Sequence, residues 1–262
     1  MAALLFLLLW FIYSSVERYY PFHWSEVFKS LHLFNKGLQL TLEISLVSMI
    51  MAISLGMIVA LGRLAPWTAL SDLAAVYVHS LRNLPALVVI LLFYFGLGSA
   101  FRLERVHIFG TPLEQIYILG TRLDPGLLWG TLALAILESA FIAEIFRAGI
   151  QSIHREQMEA ARSLGMTYFM AMRYVILPQA FRNIIPPLTG ELIALVKESS
   201  LLSVLAIPEL TLTARQVGYS RFITFEALTV LAVYYLSLTI PLSLLSHYLE
   251  RRFGLDRDRG RA

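Results

Sequence analysis

Ionisable side chains are sparse in this chain, and those that interrupt its apolar runs are the first candidates for chemistry. Glu191, Lys197, Glu198, Ser199 and Ser200 fall in one short stretch, and Glu191 and Glu198 are seven residues apart, which puts them on one face of a helix. A carboxylate there can receive an ammonium, and a lysine or a backbone amide can receive a carboxylate. The competing reading is an internal salt bridge between Lys197 and a neighbouring glutamate. Glu138 sits about midway along another apolar run. A lone carboxylate is costly there, so it is protonated, paired across helices or facing water. Arg82 precedes Leu84 and Pro85, and Pro85 should kink or break its helix, freeing backbone carbonyls near a strong cation. That suits a pathway or gate; the plainer alternative is an arginine snorkelling to the interface. Glu144 and Arg147, three apart, read as a structural ion pair.

A second constellation is polar and broken by glycine. The segment from Glu159 to Pro178 reads EAARSLGMTYFMAMRYVILP. Residues 155 to 164 are good helix formers, and Gly165 follows as the residue able to take a left-handed conformation at the helix end. Thr167 then caps a second short helix, expected to end before Pro178. The product is a helix-turn-helix knuckle. Ala160 and Ala161 should leave one face of the first helix nearly flat, able to sit close in a partner's groove, while Glu159 and Arg162 share a side and reach polar groups there. An amphipathic connector between two membrane helices is the bland alternative.

The elements that hold these groups are set by composition. Hydrophobic residues make up 58% of the 262 and charged ones 15%, with a mean hydropathy of +0.69, which points to an integral membrane protein of all-α class. Residues 38 to 62, 73 to 98, 127 to 146 and 227 to 248 each reach the roughly 20 residues needed to cross a bilayer. A fifth span, 184 to 208, tolerates Glu191, Lys197 and Glu198 if they face a bundle interior or wet cavity. Residues 2 to 13 are apolar but short, and lack the basic start and cleavage site of a signal peptide. Residues 14 to 37 form a polar and aromatic segment in which Tyr19, Tyr20 and Trp24 suit a headgroup region.

Five arginines lie between Arg147 and Arg182 and five follow Glu250, against three in 99 to 126 and two in 211 to 225. The arginine-rich regions should be cytoplasmic, which puts Gln157 and the C-terminus inside and Glu114 outside. The pI near 9.2 is then positive-inside bias, and no basic stripe interleaved with aromatics supports nucleic-acid binding. With no cysteine, disulfides, thiol catalysis and cysteine-bound metal are excluded. The six histidines show no metal-ligand spacing, and His32, His79 and His247 read as interfacial. No GxxxxGK[ST] loop, HExxH helix or GxSxG elbow is present, so any ATP hydrolysis belongs to another chain.

The order Glu159-Ala160-Ala161, three residues, Gly165, nine residues, an aliphatic, one residue, Leu177-Pro178 resembles the cytoplasmic EAA loop of permease subunits in ATP-binding-cassette (ABC) importers. LRNLPALVVILLFYFGLG (81 to 98), ESAFIAEIFRAGIQSI (138 to 153), LPQAFRNIIPPLTGELIALVKESSLLSVL (177 to 205) and LERRFG (249 to 254) narrow the resemblance to the polar amino-acid permeases of the histidine, glutamine and glutamate type, over residues 37 to 254. Many such permeases have Gly, Asn and Asn where this chain has Glu156, Gly190 and Glu138.

The resemblance implies a type I importer transmembrane domain with a five-helix core at 37 to 254, preceded by a hydrophobic segment and extracytoplasmic linker at 1 to 36 and followed by a charged cytoplasmic tail at 255 to 262. It implies a multi-pass protein of the bacterial cytoplasmic (inner) membrane, with membrane lipid around it and neither cofactor nor metal. The partners implied are cytoplasmic ABC ATPase subunits gripping the knuckles, an extracytoplasmic amino-acid-binding protein, and an identical or similar second permease. Glu191 aligns with a substrate-binding carboxylate. A self-contained secondary carrier is the alternative, but it would usually show inverted repeats, and the halves show no convincing similarity.

Overall fold

The computed structural model describes residues 22–100 and 125–253, Trp10, and four short pieces between 107 and 122. Residues 2 to 9 and 11 to 13 of the N-terminal apolar run, Tyr19, Tyr20, Glu114 and the tail at 255 to 262 lie outside the described residues. The helices are α1 (Trp24–Lys29), α2 (Leu31–Arg63), α3 (Thr68–Asn83), α4 (Ala86–Leu91, widening into a π-type turn at Leu92–Leu97), α5 (Pro125–Gln151), α6 (Arg155–Ser163), α7 (Tyr168–Ala171, followed by a π-type turn at Met172–Ile176), α8 (Leu177–Glu198), α9 (Leu210–Arg221) and α10 (Thr224–Phe253). A 3-10 segment, Ser199–Leu205, joins α8 to α9. Two antiparallel pairs, His107–Ile108 with Thr111–Pro112 and Tyr117–Ile118 with Thr121–Arg122, are the strands among the described residues.

Among the described residues, three helices are long and apolar enough to cross a membrane by themselves: α2, α5 and α10. They contain the expected spans 38 to 62, 127 to 146 and 227 to 248 and extend beyond each. Even α5, with 27 residues rising about 1.5 Å each, reaches roughly 40 Å against a hydrocarbon core of about 30 Å.

The expected span 73 to 98 is broken at Pro85, as that residue implied. It is two helices, α3 and α4 with its π turn, bent by 110° at Leu84 and Pro85. Pro85 has no N–H to continue α3, and the residue before a proline is forced out of the α region; Leu84 is extended, with φ −91° and ψ 144°. The expected span 184 to 208 is also redrawn: its α-helix begins at Leu177, carries Pro186 and Pro187 in its interior and stops at Glu198. The segment 211 to 225, read as a connection, contains α9 instead.

The core is built on small residues. α2 meets α5 at Gly56, where a Cβ would lie 2.8 Å from Ile142 Cγ2 and 2.9 Å from the Ser139 carbonyl oxygen. Buried Ala52, Ala60 and Ala143 extend that close approach, which is how helices pack where lipid offers no hydrophobic incentive to associate. α8 closes on the same surface, with Ile184 packed directly against the hydrogen of Gly149. Ser48 Oγ donates to the Thr131 carbonyl at 3.0 Å and Tyr77 shares a 2.6 Å hydrogen bond with Ser139 Oγ, satisfying polar groups between helices.

At the end of the bundle away from α6, α1, α9 and the start of α10 form a separate cluster around Val27, Phe34, Leu210, Val217 and Ile223. The buried Glu226 accepts the backbone N–H of His23 at 2.6 Å, and Arg221 reaches Glu26 at 3.1 Å.

Candidate functional site

The knuckle forms much as its residues dictate. α6 ends in a Schellman motif: Met166 N–H donates to the Ala161 carbonyl at 3.2 Å and Gly165 N–H to that of Arg162 at 3.0 Å. Gly165 takes φ +83°, the left-handed conformation the turn requires. Thr167 Oγ1 then accepts the Met170 N–H at 3.3 Å and caps α7.

Two details differ from expectation. The helix does not end before Pro178. The wide turn Met172–Ile176 lets Leu177 N–H bond five residues back, to Met172, and Pro178 falls at the first positions of α8, where a missing N–H costs nothing. The two alanines also part company: Ala160 is exposed, whereas Ala161 is buried against the chain itself. The flat docking face is therefore not made by both. Glu159 and Arg162 are exposed, as are Gly165 and Pro178, while Leu177 is half-buried.

The polar groups of the bundle converge, with one exception. Glu138 on α5 is 2% exposed, and the carboxyl groups of Glu191 and Glu198 on α8 adjoin it. Neither Glu138 Oε2 nor Glu198 Oε2 receives a hydrogen bond among the described residues. Lys197 does not balance this cluster. It is exposed on another side of α8 and makes no ion pair among the described residues, so the salt bridge weighed as its alternative role is not formed there. Ser199 is buried and donates to the Val196 carbonyl at 2.8 Å; Ser200 is half-buried beside it.

Glu191 also lines a cleft of about 390 Å³ between the end of α3, the second half of α5 and α8. Arg82 lines the same cleft, its guanidinium 5.3 Å from the centre of the Phe141 ring. The break at Pro85 therefore leaves Arg82 at the last turn of α3, within electrostatic reach of Glu191. Glu144 and Arg147 pair as expected on the same side of α5. Asn183 donates to Ser152 Oγ at 2.8 Å at one edge. Beside Glu191, Gly190 faces open space, with nothing within 4 Å of where a Cβ would stand. A volume of 390 Å³ is at the small end of the roughly 300–1,000 Å³ range of small-molecule sites, and the walls offer one cation, Arg82, and two carboxylates, Glu191 and the Glu144 that pairs with Arg147.

Two features were missed in the sequence. The knuckle presents Leu164, Tyr168, Phe169 and Tyr174 to the outside, with Leu164 81% exposed. Aromatic residues in a polar loop were the available signal. The second is Glu209, wholly buried, whose two carboxylate oxygens accept the N–H groups of Thr211 and Leu212 at 2.8 Å each and so cap α9. Tyr235 donates to the same carboxylate at 3.4 Å, and Thr41 Oγ1 accepts the Leu210 N–H at 3.1 Å. An acidic residue after Pro208 and before a helical run carried that signal.

Residues 52–255 match the family model described as binding-protein-dependent transport system inner membrane component. The chain is 41% identical over 228 residues to the "Probable glutamine ABC transporter permease protein GlnM" of Bacillus subtilis (strain 168), covering 87% of this chain and 96% of that protein. It is 34% identical to the glutamate/aspartate import permease protein GltK of Escherichia coli O6:H1, covering 89% and 99%. A crystal structure of an amino acid ABC transporter with histidines contains a chain that superposes with a TM-score of 0.76 at 36% identity, over 89% of this chain and all of that one.

Proposed function

The chain belongs to the family of inner membrane components of binding-protein-dependent transport systems, and from that premise we propose that it forms the path by which a polar amino acid, glutamine- or glutamate-like, enters the cytoplasm. Its fold is that of a type I importer transmembrane domain, spanning the bacterial inner membrane several times. The family makes it a transport subunit that works with an ATPase and a binding protein. A self-contained carrier finds no support in that membership.

The observation that carries the substrate reading is the pairing of Arg82 and Glu191 across one cleft, with the carboxyl groups of Glu138 and Glu198 behind. An amino acid brings a carboxylate and an ammonium on one carbon. Arg82 suits the first as a planar donor fork, and Glu191 suits the second through a charge-assisted hydrogen bond. Relatives named for glutamine and for glutamate or aspartate support a small polar side chain.

Coupling is assigned to the knuckle. Glu159, Ala160, Arg162 and the exposed aromatic residues after Gly165 meet an ATPase groove, while Ala161, Leu177 and Pro178 hold the knuckle to α8. In our reading the transmembrane domain proper is 37 to 254 and the C-terminus is cytoplasmic. Two permeases, identical or similar, are needed to enclose a pathway, and lipid surrounds them. Closure of the ATPases on nucleotide then moves the two bundles between inward-open and outward-open arrangements, the substrate and the binding protein favouring different states.

The test is reconstitution of the purified importer in vesicles with ATP inside and binding protein outside. Uptake of glutamine, glutamate, aspartate and histidine should require both. Uptake driven by an ion gradient without ATP would overturn the reading.

A further inference from the structure

Glu138 is buried in the middle of α5, and the transport reading gives it no task of its own. Its carboxyl is in hydrogen-bonding contact with those of Glu191 and Glu198 on α8. Ionised carboxylates only accept hydrogen bonds, so three of them in contact have no bond to make with one another. Nor do the described residues supply a donor in their place: Glu138 Oε2 and Glu198 Oε2 are both shut away from solvent and receive none. Buried acceptors left this way are costly, and one proton resolves the conflict by turning one carboxyl into a donor.

The surroundings decide which carboxyl holds it. Glu191 lines the cleft with Arg82 in electrostatic reach, and both solvent and cation favour charge there. Glu138 has neither advantage. The charged groups that act on it are Glu191 and Glu198, and neither is a cation. From α3, Tyr77 comes near, but its hydroxyl is taken up by Ser139 Oγ and the Ile136 carbonyl. α2 meets this part of α5 at Gly56, and α4 meets it through Val89; neither brings a charge. Ser199, at the end of α8, spends its hydroxyl on the Val196 carbonyl. Further along α5, Glu144 and Arg147 pair with each other.

We propose that Glu138 is a positioning residue: it carries a proton at neutral pH and donates it in a hydrogen bond to the Glu191 carboxylate, keeping Glu191 charged and aimed at the ammonium of the transported amino acid. The inference rests on the transport reading above, in which Glu191 receives that ammonium. A donor on one side of a carboxylate fixes its orientation and leaves an oxygen for the cleft. It also favours the charged form against the neighbouring charge of Glu198.

Two variants separate a donor from a charge. Glu138→Gln keeps the shape and supplies N–H donors but cannot ionise; Glu138→Met keeps the length and donates nothing. The first measurement is binding of radiolabelled glutamine, glutamate, aspartate and histidine to the purified complex of permease and ATPase in detergent. For the amino acid that wild type binds best, Glu138→Gln should stay within about threefold of wild type, and Glu138→Met should bind about tenfold more weakly. The deficit in Glu138→Met should grow as pH is lowered from neutral, because Glu191 without its donor takes up the proton itself. An ionised Glu138 that touched the substrate would make Glu138→Gln as weak as Glu138→Met, and equal affinity in all three proteins would deny it any role; either result overturns the proposal. The second measurement is infrared. A neutral carboxylic acid has a carbonyl stretch that a carboxylate lacks, so subtracting the Glu138→Gln spectrum from that of wild type at neutral pH should leave such a band, and its absence overturns the proposal equally. If Glu138→Met fails to fold, the affinity of Glu138→Gln and the infrared band decide. Wild type that transports but binds none of the four amino acids removes the cleft as the substrate site, and the inference with it. Wild type without ATP-driven uptake is a different result: it removes the transport reading, while the infrared band still reports the proton.

Discussion

Gly165 offers a direct test of the knuckle because the structure separates its two ways of failing. A Cβ at this position would meet nothing within 4 Å, so no steric clash is available to explain a defect. What remains is the backbone. At φ +83° an L residue pays about 1–2 kcal/mol, with Asn near the bottom of that range, Ala within it and β-branched Val at or above the top. At about 2 kcal/mol, Val leaves the turn in its present form roughly 30-fold less often; at about 1 kcal/mol, Ala leaves it about fivefold less often. The two hydrogen bonds of Met166 and Gly165 go with the turn; water replaces the one between exposed Gly165 and Arg162, and the one from half-buried Met166 to buried Ala161 costs about 1 kcal/mol. Membrane insertion and yield should therefore persist. The assay is hydrolysis of ATP by the reconstituted importer, stimulated by loaded binding protein. Stimulation should fall in the order Gly, Asn, Ala, Val. Wild-type stimulation in Gly165→Val would refute the turn as a coupling element, and equal loss in Asn, Ala and Val would show that any side chain there blocks the partner, whatever its backbone preference.

Three further outcomes follow from the cleft, the topology and α1. Glu191→Gln should raise the substrate concentration needed for half-maximal transport about tenfold or more, by loss of a charge-assisted hydrogen bond, while the yield of assembled complex is unchanged; uptake matching wild type across the whole range would move the role to Glu138. Cysteines introduced at Gln157 and Gln216, the only thiols in the protein, should react with an impermeant reagent from the cytoplasmic and the outer side respectively; labelling from one side alone would break the topology. The exposed Glu26 carboxyl is held below its ordinary 4.5 by hydrogen bonding to Lys29, with Arg221 also contributing. A lowered folded pKa stabilises above the unfolded value, so the contact between α1 and α9 should loosen as pH falls through 4.5 and below, read as faster hydrogen exchange in 24–29; Glu26→Gln should remove that dependence.

The long spans were legible because length and hydropathy alone decide them. The Schellman turn was legible because only glycine sits easily at φ +83°. Pro85 announced a break, but its angle depends on how α4 packs against α5, which no local pattern encodes. The π-type turns at Leu92–Leu97 and Met172–Ile176 have no residue signature, so the run through Pro178 was hidden. α9 was missed since its 12 residues are too short and too polar to resemble a span. The misplacement of Lys197 was avoidable: six residues from Glu191 is about 240° around a helix, which turns it away from that carboxylate. The meeting of Glu138 with Glu191 and Glu198 required knowing that α5 and α8 are neighbours, and that is tertiary information.

The run from Thr167 through Pro178 into α8 has a mechanical consequence. Because the π turn replaces a break, α7 and the carboxylate in the cleft lie on one helical run, with Pro186 and Pro187 between them as the points where it bends most easily. Glu191 stands 14 residues from Leu177, about 21 Å along the axis. A tilt of roughly 10° imposed at the knuckle would displace Glu191 by about 3–4 Å, the difference between a hydrogen bond made and one lost. Force applied at the knuckle would arrive at the cleft as a lever stroke so long as α8 keeps its angle at Pro186 and Pro187.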